Sequence, residues 1–425
     1  MRSRRLPAIV ASLTALALLG ACASDGDKDN EAKPSSSTSD EAGALSGDVD
    51  LWVYPVIADE AAHKAHWDKQ IAAFKAENPD VNVKVEIFPW ANRDEAITTA
   101  IASGTTPDAI YLIPDQLATY ADALAPVNEH IAADHLSDIL PNVVENVTIS
   151  DRMLGVPLLT SSNPLVCNAA AFEEAGITEY PTTLDEFMAL GEKFKEHDIY
   201  LTNYRGAIEE TLNMTFYPYL WQMGGKVFNE DGSIAIDSPE AIEALTYVKE
   251  LVDKGYSEKD LVSTTPAFEQ TAIAKNKVAC TNNNAPVELE PYWGVENIKV
   301  LPPLKDVNQV AYGTVGSFAM FEASKDKAAT GAFLDFVTTG DPLKEYLTTS
   351  KYFSPLASTG ALYEGDPIYG EVEKTIPTIT VGDLHPKARE VMGSVAPEIQ
   401  AALLGQKTPE EALKSAAKEA SYLLN

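Results

Sequence analysis

Between Asp50 and Ile113 the hydrophobic pattern switches back and forth between the two-residue period of a strand and the longer period of a helix. Asp50-Leu-Trp-Val-Tyr54 reads as a short strand, and Trp67, Ile71 and Phe74 then share one helical face until Asn78-Pro79 stops the helix. Val81, Val83, Val85 and Ile87 alternate as a second strand. After Pro89-Trp90 the pattern predicts a helix from about Asp94 to Ser103 with Gly104 as its C-terminal glycine. Pro107-Asp108 opens Ala109-Ile-Tyr-Leu-Ile113, a continuous apolar run of the kind found in buried parallel strands. Strand, helix, strand, helix, strand demands crossovers, and crossovers build an open parallel sheet. Ligands of such sheets sit at the carboxyl ends of strands, which here are the loops beginning at Tyr54, Trp90 and Pro114-Asp115.

The first residues have another task. A basic start, Met1-Arg-Ser-Arg-Arg5, is followed by an apolar run to Leu19 and by small residues up to Cys22, the layout of an export signal too short to span a membrane. Leu19-Gly-Ala-Cys22 resembles a bacterial lipobox, which implies a signal peptide over residues 1–21 and lipid attachment at Cys22. Residues 22–47 are mostly small, polar or charged and cannot offset the entropy of ordering, so they are expected to form a flexible tether. The remaining length exceeds what one hydrophobic core usually serves, so two lobes are expected. A formal charge of −31 repels phosphate backbones and anionic headgroups, which excludes nucleic acid and a peripheral membrane patch as partners. Cys167 and Cys280 belong to no zinc or redox spacing. Outside the cell they are free to form a disulfide, and two reduced buried cysteines fit the sequence equally.

The chain turns from one half to the other in the stretch from Gly155 to Phe194. It runs Gly155-Val-Pro-Leu, an apolar segment ending Leu165-Val-Cys-Asn168, a short helix closed by Gly176, then Pro181-Thr-Thr-Leu-Asp-Glu-Phe187 with Thr183 and Glu186 as a capping box. This order resembles a motif of the extracellular solute-binding proteins of ABC importers, the carbohydrate-binding, maltose-binding-protein-like type, with Cys167 standing where an aromatic is usual. Ser103-Gly-Thr-Thr-Pro-Asp108, Phe216-Tyr-Pro-Tyr-Leu-Trp221-Gln-Met-Gly-Gly225, Tyr352-Phe-Ser-Pro355 and the closing helices after Gln400 are similar to further segments of that family, and Asn276 takes the place of its turn glycine. The resemblance implies an α/β, two-lobed periplasmic-binding-protein-like fold, each lobe an open mostly parallel sheet flanked by helices. Lobe 1 is expected over 48–157 and 312–352, and lobe 2 over 158–311 and 353–425, with hinges near Gly155, Val310 and Tyr352. It also implies a monomer that meets the permease subunits of an ABC importer at the outer face of the cytoplasmic membrane.

Catalytic signatures are missing: there is no Gly-x-Ser-x-Gly, no His-Glu-x-x-His and no phosphate loop, and no cofactor or metal is expected. His63 and His66 near Asp59 and Glu60 are expected on a solvated helix face. A neutral sugar asks for flat apolar surfaces under its C–H faces and short polar groups for its hydroxyls. Tyr54, Trp90, Tyr217, Tyr219, Trp221, Trp293, Phe318 and Tyr352 fall in predicted loops or crossovers, where each either lines a cleft or packs a hinge. Asp115 is the foremost hydroxyl acceptor unless it caps its own turn, and Asn163 and Asn284 are amide candidates. Two functions fit: a lipid-anchored protein that captures a sugar or oligosaccharide for an importer, or a secreted glycan-processing enzyme. A binding protein for a non-sugar small solute is a variant of the first.

Overall fold

The computed structural model describes residues 45–424 except positions 58 and 91, so the stretch expected to be a signal peptide and Cys22 lie outside the described residues. Strand β1 (Gly47–Val53), helix α1 (Glu60–Glu77), β2 (Val81–Ile87), α2 (Arg93–Ser103) and β3 (Ala109–Leu112) follow in the expected order. Gly104 ends α2 at φ 68°, a left-handed position that glycine adopts without steric cost. β1 pairs in parallel with both β2 and β3. The strand Val315–Phe321 then lies antiparallel beside β3 and carries Leu124–Ala125 and Val156–Thr160 on its other edge. It arrives from the other lobe without a crossover helix to reverse its direction, so it completes the sheet head to tail.

Lobe 1 buries its rings along α1. Trp67 meets Phe318 at 5.9 Å between centroids and Phe74 meets Phe333 at 5.1 Å, both edge-on. Burial of each such ring contributes about 1.5–3 kcal/mol. The histidines of α1 correct the expectation of a solvated face: His63 is fully buried and His66 nearly so. Trp67 donates its Nε1–H to His63 Nε2 at 3.2 Å, which holds the ring in the core.

Lobe 2 departs from the expected parallel sheet. Its strands Ile298–Leu301, Leu165–Asn168 and Cys280–Thr281 are all antiparallel neighbours. Here 113 positions separate Cys167 from Cys280, ample chain to return in either direction. The two cysteines face each other in register and are joined by a disulfide. Asn276 sits at φ 60°, and its side-chain oxygen accepts from Asn168 Nδ2, so an asparagine serves where glycine would be usual. Thr183 caps its helix through Glu186 N, and the Glu186 carboxylate returns to accept from Thr182 N and Oγ1. Most of the lobe's core is helical, with Leu245, Val248, Val391, Val395, Ile399 and Leu413 in one cluster.

The pairings show where the chain leaves the lobe 1 sheet. Val156–Thr160 pairs wholly within the lobe 1 sheet, and the chain leaves it at Ser161–Asn163, whose amides bond to Thr314 O and Tyr312 O. The segment after Tyr352 touches both lobes: Leu356 joins the lobe 1 core, Pro355 O accepts from Leu140 N and Ser358 bonds to Asp138, whereas Ile368 packs in a lobe 2 cluster with Trp293 and Ile298. Ile379–Asp383 is the third passage, leading to the closing helices of lobe 2, and there Ala311–Tyr312 and Ile379–Thr380 pair as a two-stranded parallel ribbon.

Candidate functional site

Two loops of lobe 1 converge on lobe 2 around a cleft of about 500 Å³. Lobe 1 supplies Arg93 from the start of α2, and Ile113, Pro114 and Asp115 from the end of β3. Lobe 2 supplies Tyr217 and Trp221 from the helix Tyr217–Gln222, Phe228, and the helix Ala388–Leu403 through Arg389 and Met392. The passages contribute Tyr312, Thr314 and Asp383. Rings and aliphatic side chains make up much of the wall, and the polar groups come from both sides, the usual make-up of a small-molecule site.

Trp221 is 7 % exposed, and its indole Nε1–H has no partner. Gly382 explains how the ring fits: a Cβ there would fall 2.5 Å from Trp221 Cζ2, and the residue has φ 77°. Only glycine lets the third passage run this close to the indole. Tyr217 stands beside it, ring centroids 5.9 Å apart, with its hydroxyl also unpartnered. Burial raises the Tyr217 phenol well above its ordinary range, with the charge of Asp383 adding to the effect, so it stays a neutral donor. A buried donor without an acceptor costs about 1–3 kcal/mol, which a ligand oxygen would recover.

Asp115 opens the helix α3 (Pro114–Thr119). Its Oδ1 accepts from the next residue's amide, Gln116 N, at 3.0 Å, and its Oδ2 accepts from Arg389 Nε at 2.5 Å. Asp115 also lines the cleft, with its carboxylate engaged by Gln116 N and by Arg389. Asp94 Oδ2 takes a second bond from Arg389 Nη1 at 3.2 Å. Burial alone would lower the guanidinium pKa, but Asp115 and Asp94 more than reverse that and raise it. Burial, with Asp115 next, pushes the Tyr312 hydroxyl up to about 12.

Other sequence candidates lie elsewhere. Tyr54 is buried and stacked at 5.0 Å on Trp90, which is 41 % exposed and donates to Pro55 O. The pair flanks the cleft through Arg93, whose guanidinium lies 5.2 Å above the Trp90 ring, but neither is among the cleft's lining residues. Tyr219 and Asn163 line a separate cavity of about 20 Å³ with Gln222 and Asn282, room for roughly one water. Asn284 is buried, accepting from Asn203 and donating to Glu288. Phe318 is enclosed between Trp67 and Tyr111, and Trp293 bonds to Ile273 O inside a small core of lobe 2. Tyr352 packs on the lobe 1 core. Of the sequence candidates, then, Asp115, Trp221 and Tyr217 come together. Arg93 and Asp94 escaped notice although they directly follow the Trp90 loop; Arg389 has no local signal, since only folding brings it to the cleft.

Comparison with known proteins bears on this arrangement. The model of the family described as bacterial extracellular solute-binding protein matches residues 58–341. A binding protein of Brucella abortus is 24 % identical over 363 residues, 83 % of this chain and 88 % of its own. The diacetylchitobiose binding protein DasA of Streptomyces coelicolor is 23 % identical over 204 residues, 47 % of this chain and 45 % of its own. Among solved structures, the cyclic alpha-maltosyl-1,6-maltose binding protein from Arthrobacter globiformis superposes with a TM-score of 0.77 at 21 % identity, covering 89 % of this chain and 99 % of that one. An ABC transporter solute-binding protein from Thermotoga lettingae bound with alpha-D-tagatose gives 0.72 at 22 %, covering 89 % and 100 %.

Proposed function

Because the chain belongs to the bacterial extracellular solute-binding protein family, we propose that it captures a sugar or short oligosaccharide in the cleft between its lobes and delivers it to an ABC importer. The observation that carries this reading is the pair of buried, unpartnered donors, Trp221 Nε1 and Tyr217 OH, standing in an aromatic wall of a cleft about 500 Å³ in volume. Neutral donors against flat rings suit a ligand rich in oxygen acceptors and C–H faces. Relatives named or solved as binders of maltosyl sugars, diacetylchitobiose and tagatose support the same class.

The reading is of binding without turnover, by a monomer, with no cofactor. It includes lipid attachment at Cys22, which would keep the protein at the outer face of the membrane close to the permease subunits. No described helix is long and apolar enough to cross a membrane. Thermal-shift and calorimetric titration with a panel of mono- and oligosaccharides tests the ligand class. At a hundredfold excess over Kd a ligand stabilises by about 2.7 kcal/mol, a shift easily read. Chromatography of the same mixtures checks turnover. Silence across the panel with heat evolved for an amine or peptide would replace the sugar; new saccharide products would replace the binding protein by an enzyme.

A further inference from the structure

Tyr54 and Trp90 do not line the cleft, yet both stand under a residue that does. Tyr54 is buried in the lobe 1 core, and Trp90 stacks on it at 5.0 Å with its Nε1–H fixed to Pro55 O. The Arg93 guanidinium lies 5.2 Å above the Trp90 ring. The three form a column that carries a cation from the core to the cleft wall, with every contact inside lobe 1. Asn92, at φ 59°, turns the chain so that Arg93 becomes the first residue of α2. That is the positive end of the helix, where a cation gains nothing from the backbone. Among the described residues, no side chain forms an ion pair or hydrogen bond with this half-buried guanidinium. Local stability gives no reason for an arginine here.

The carboxylates around it are already engaged. Asp94 accepts from Gln116 Nε2 and Arg389 Nη1, and Asp115 accepts from Gln116 N and Arg389 Nε. Across the cleft, Asp383 accepts from the amides of Val227 and Phe228, and Glu210 pairs with Arg205 at 3.4 Å. Glu209 is the exception, and it is exposed. Set against these, three donors on the walls are uncommitted: the Arg93 guanidinium, the Trp221 Nε1–H and the Tyr217 hydroxyl.

We propose that Arg93 selects a saccharide bearing a carboxylate, that is a uronic acid residue, by holding the carboxylate on its guanidinium while Trp221 and Tyr217 donate to other oxygens of the same ligand. This role presupposes that the cleft is the saccharide site. An ionised carboxylate offers acceptors only, and the planar fork of arginine matches its two oxygens. The Trp90 ring holds the guanidinium by cation–π attraction and takes none of its hydrogen-bond donors. The formal charge of −31 does not bar such a ligand. Charges farther away than about 8 Å are largely screened at physiological ionic strength, whereas the uronate meets Arg93 in contact.

Calorimetric titration of the full chain with matched pairs tests this: glucuronate against glucose, galacturonate against galactose, and digalacturonate against galactobiose. In at least one pair the acid should bind about tenfold or more tightly than its neutral partner, and the ratio should shrink as salt is raised. Arg93→Gln should bring that ratio to about one, and Arg93→Lys, which keeps the charge without the fork, should retain part of it. Both affinities of a pair are read on one protein sample, so partial unfolding of a variant cancels in the ratio. Neutral sugars binding as tightly as their acids, a preference for glucosamine over both, or a ratio unmoved by Arg93→Gln would overturn the role of Arg93 and leave the saccharide site standing. Silence from every acid and every neutral sugar would instead remove that site, and this role with it.

Discussion

Acidification should destabilise this protein through His63. The imidazole is fully buried on α1 and sits between two donors, Trp67 Nε1–H at 3.2 Å from Nε2 and Ile57 N–H at 3.4 Å from Nδ1. A neutral ring has one nitrogen free to accept, and a protonated ring has none, so both neighbours would face an N–H. Burial, with the charge of His66 second, lowers the His63 pKa from 6.5 to about 4. The unfolded chain thus takes up the proton at a higher pH than the folded one. Stability from this group is complete above about pH 6.5 and is lost as pH falls toward 4. That displacement is worth at most about 3 kcal/mol, and roughly half survives at the effective dielectric of a protein interior, which is higher than that of a dry one. Urea unfolding at pH 7.5, 6, 5 and 4.5, with His63→Gln as the reference, isolates the effect, because the glutamine oxygen still accepts from Trp67 and does not titrate. The wild type should lose about 1.5 kcal/mol relative to the variant across that range. Parallel curves, or a gain for the wild type on acidification, would refute the reasoning.

Trp221→Ala should weaken binding of whichever saccharide is found by about 2 kcal/mol, roughly thirtyfold, as removal of a buried aromatic anchor does; unchanged calorimetric affinity would show that the indole is not in the site. Gly382→Ala places a methyl against that indole in a left-handed backbone, so it should cost about 1–3 kcal/mol in unfolding experiments and reduce binding together with stability. Replacing Cys167 and Cys280 by serine opens a loop of 113 residues and should lower stability by roughly 4–5 kcal/mol in the chain-entropy model, whereas two thiols titrating in denaturant without reductant would mean that the bond does not form. Cys22→Ala should release the protein into the medium, and its retention in washed membranes would count against lipid attachment.

Local periodicity was enough for lobe 1 because each of its first elements is decided by neighbours in the chain. Val81 to Ile87 alternates, Trp67 and Phe74 share a face, and Gly104 ends a helix; nothing distant has to be known. The strand directions of lobe 2 were out of reach for the opposite reason. Leu165–Asn168 pairs with residues more than a hundred positions away, and no pattern within a strand encodes the orientation of such a partner. The site divides in the same way. Asp115 and Trp221 were found because both follow recognisable local features, a strand end and an aromatic run. Phe318 and Trp293 have the same aromatic character, but their neighbours across the fold enclose them in cores. Arg389, in the helix near the end of the chain, is made significant only by the two aspartates that lie nearly three hundred positions earlier.

The strand Val315–Phe321 has all of its residues buried and holds three other strands of the lobe 1 sheet together. During synthesis it emerges only after most of lobe 2 has been made, so a nascent chain ending near Pro303 contains β1 to β3 with their inner edge unfilled. Lobe 1 should therefore remain incomplete, with β3 open to unwanted pairing, until translation passes Phe321. Such distant pairing also makes for slow folding once the chain is whole. Neither lobe is a contiguous stretch of the gene, and an attempt to express lobe 1 alone from its N-terminal half should yield an aggregating fragment, while a version that splices Val315–Phe321 and its following helices onto that half has the parts for a closed sheet.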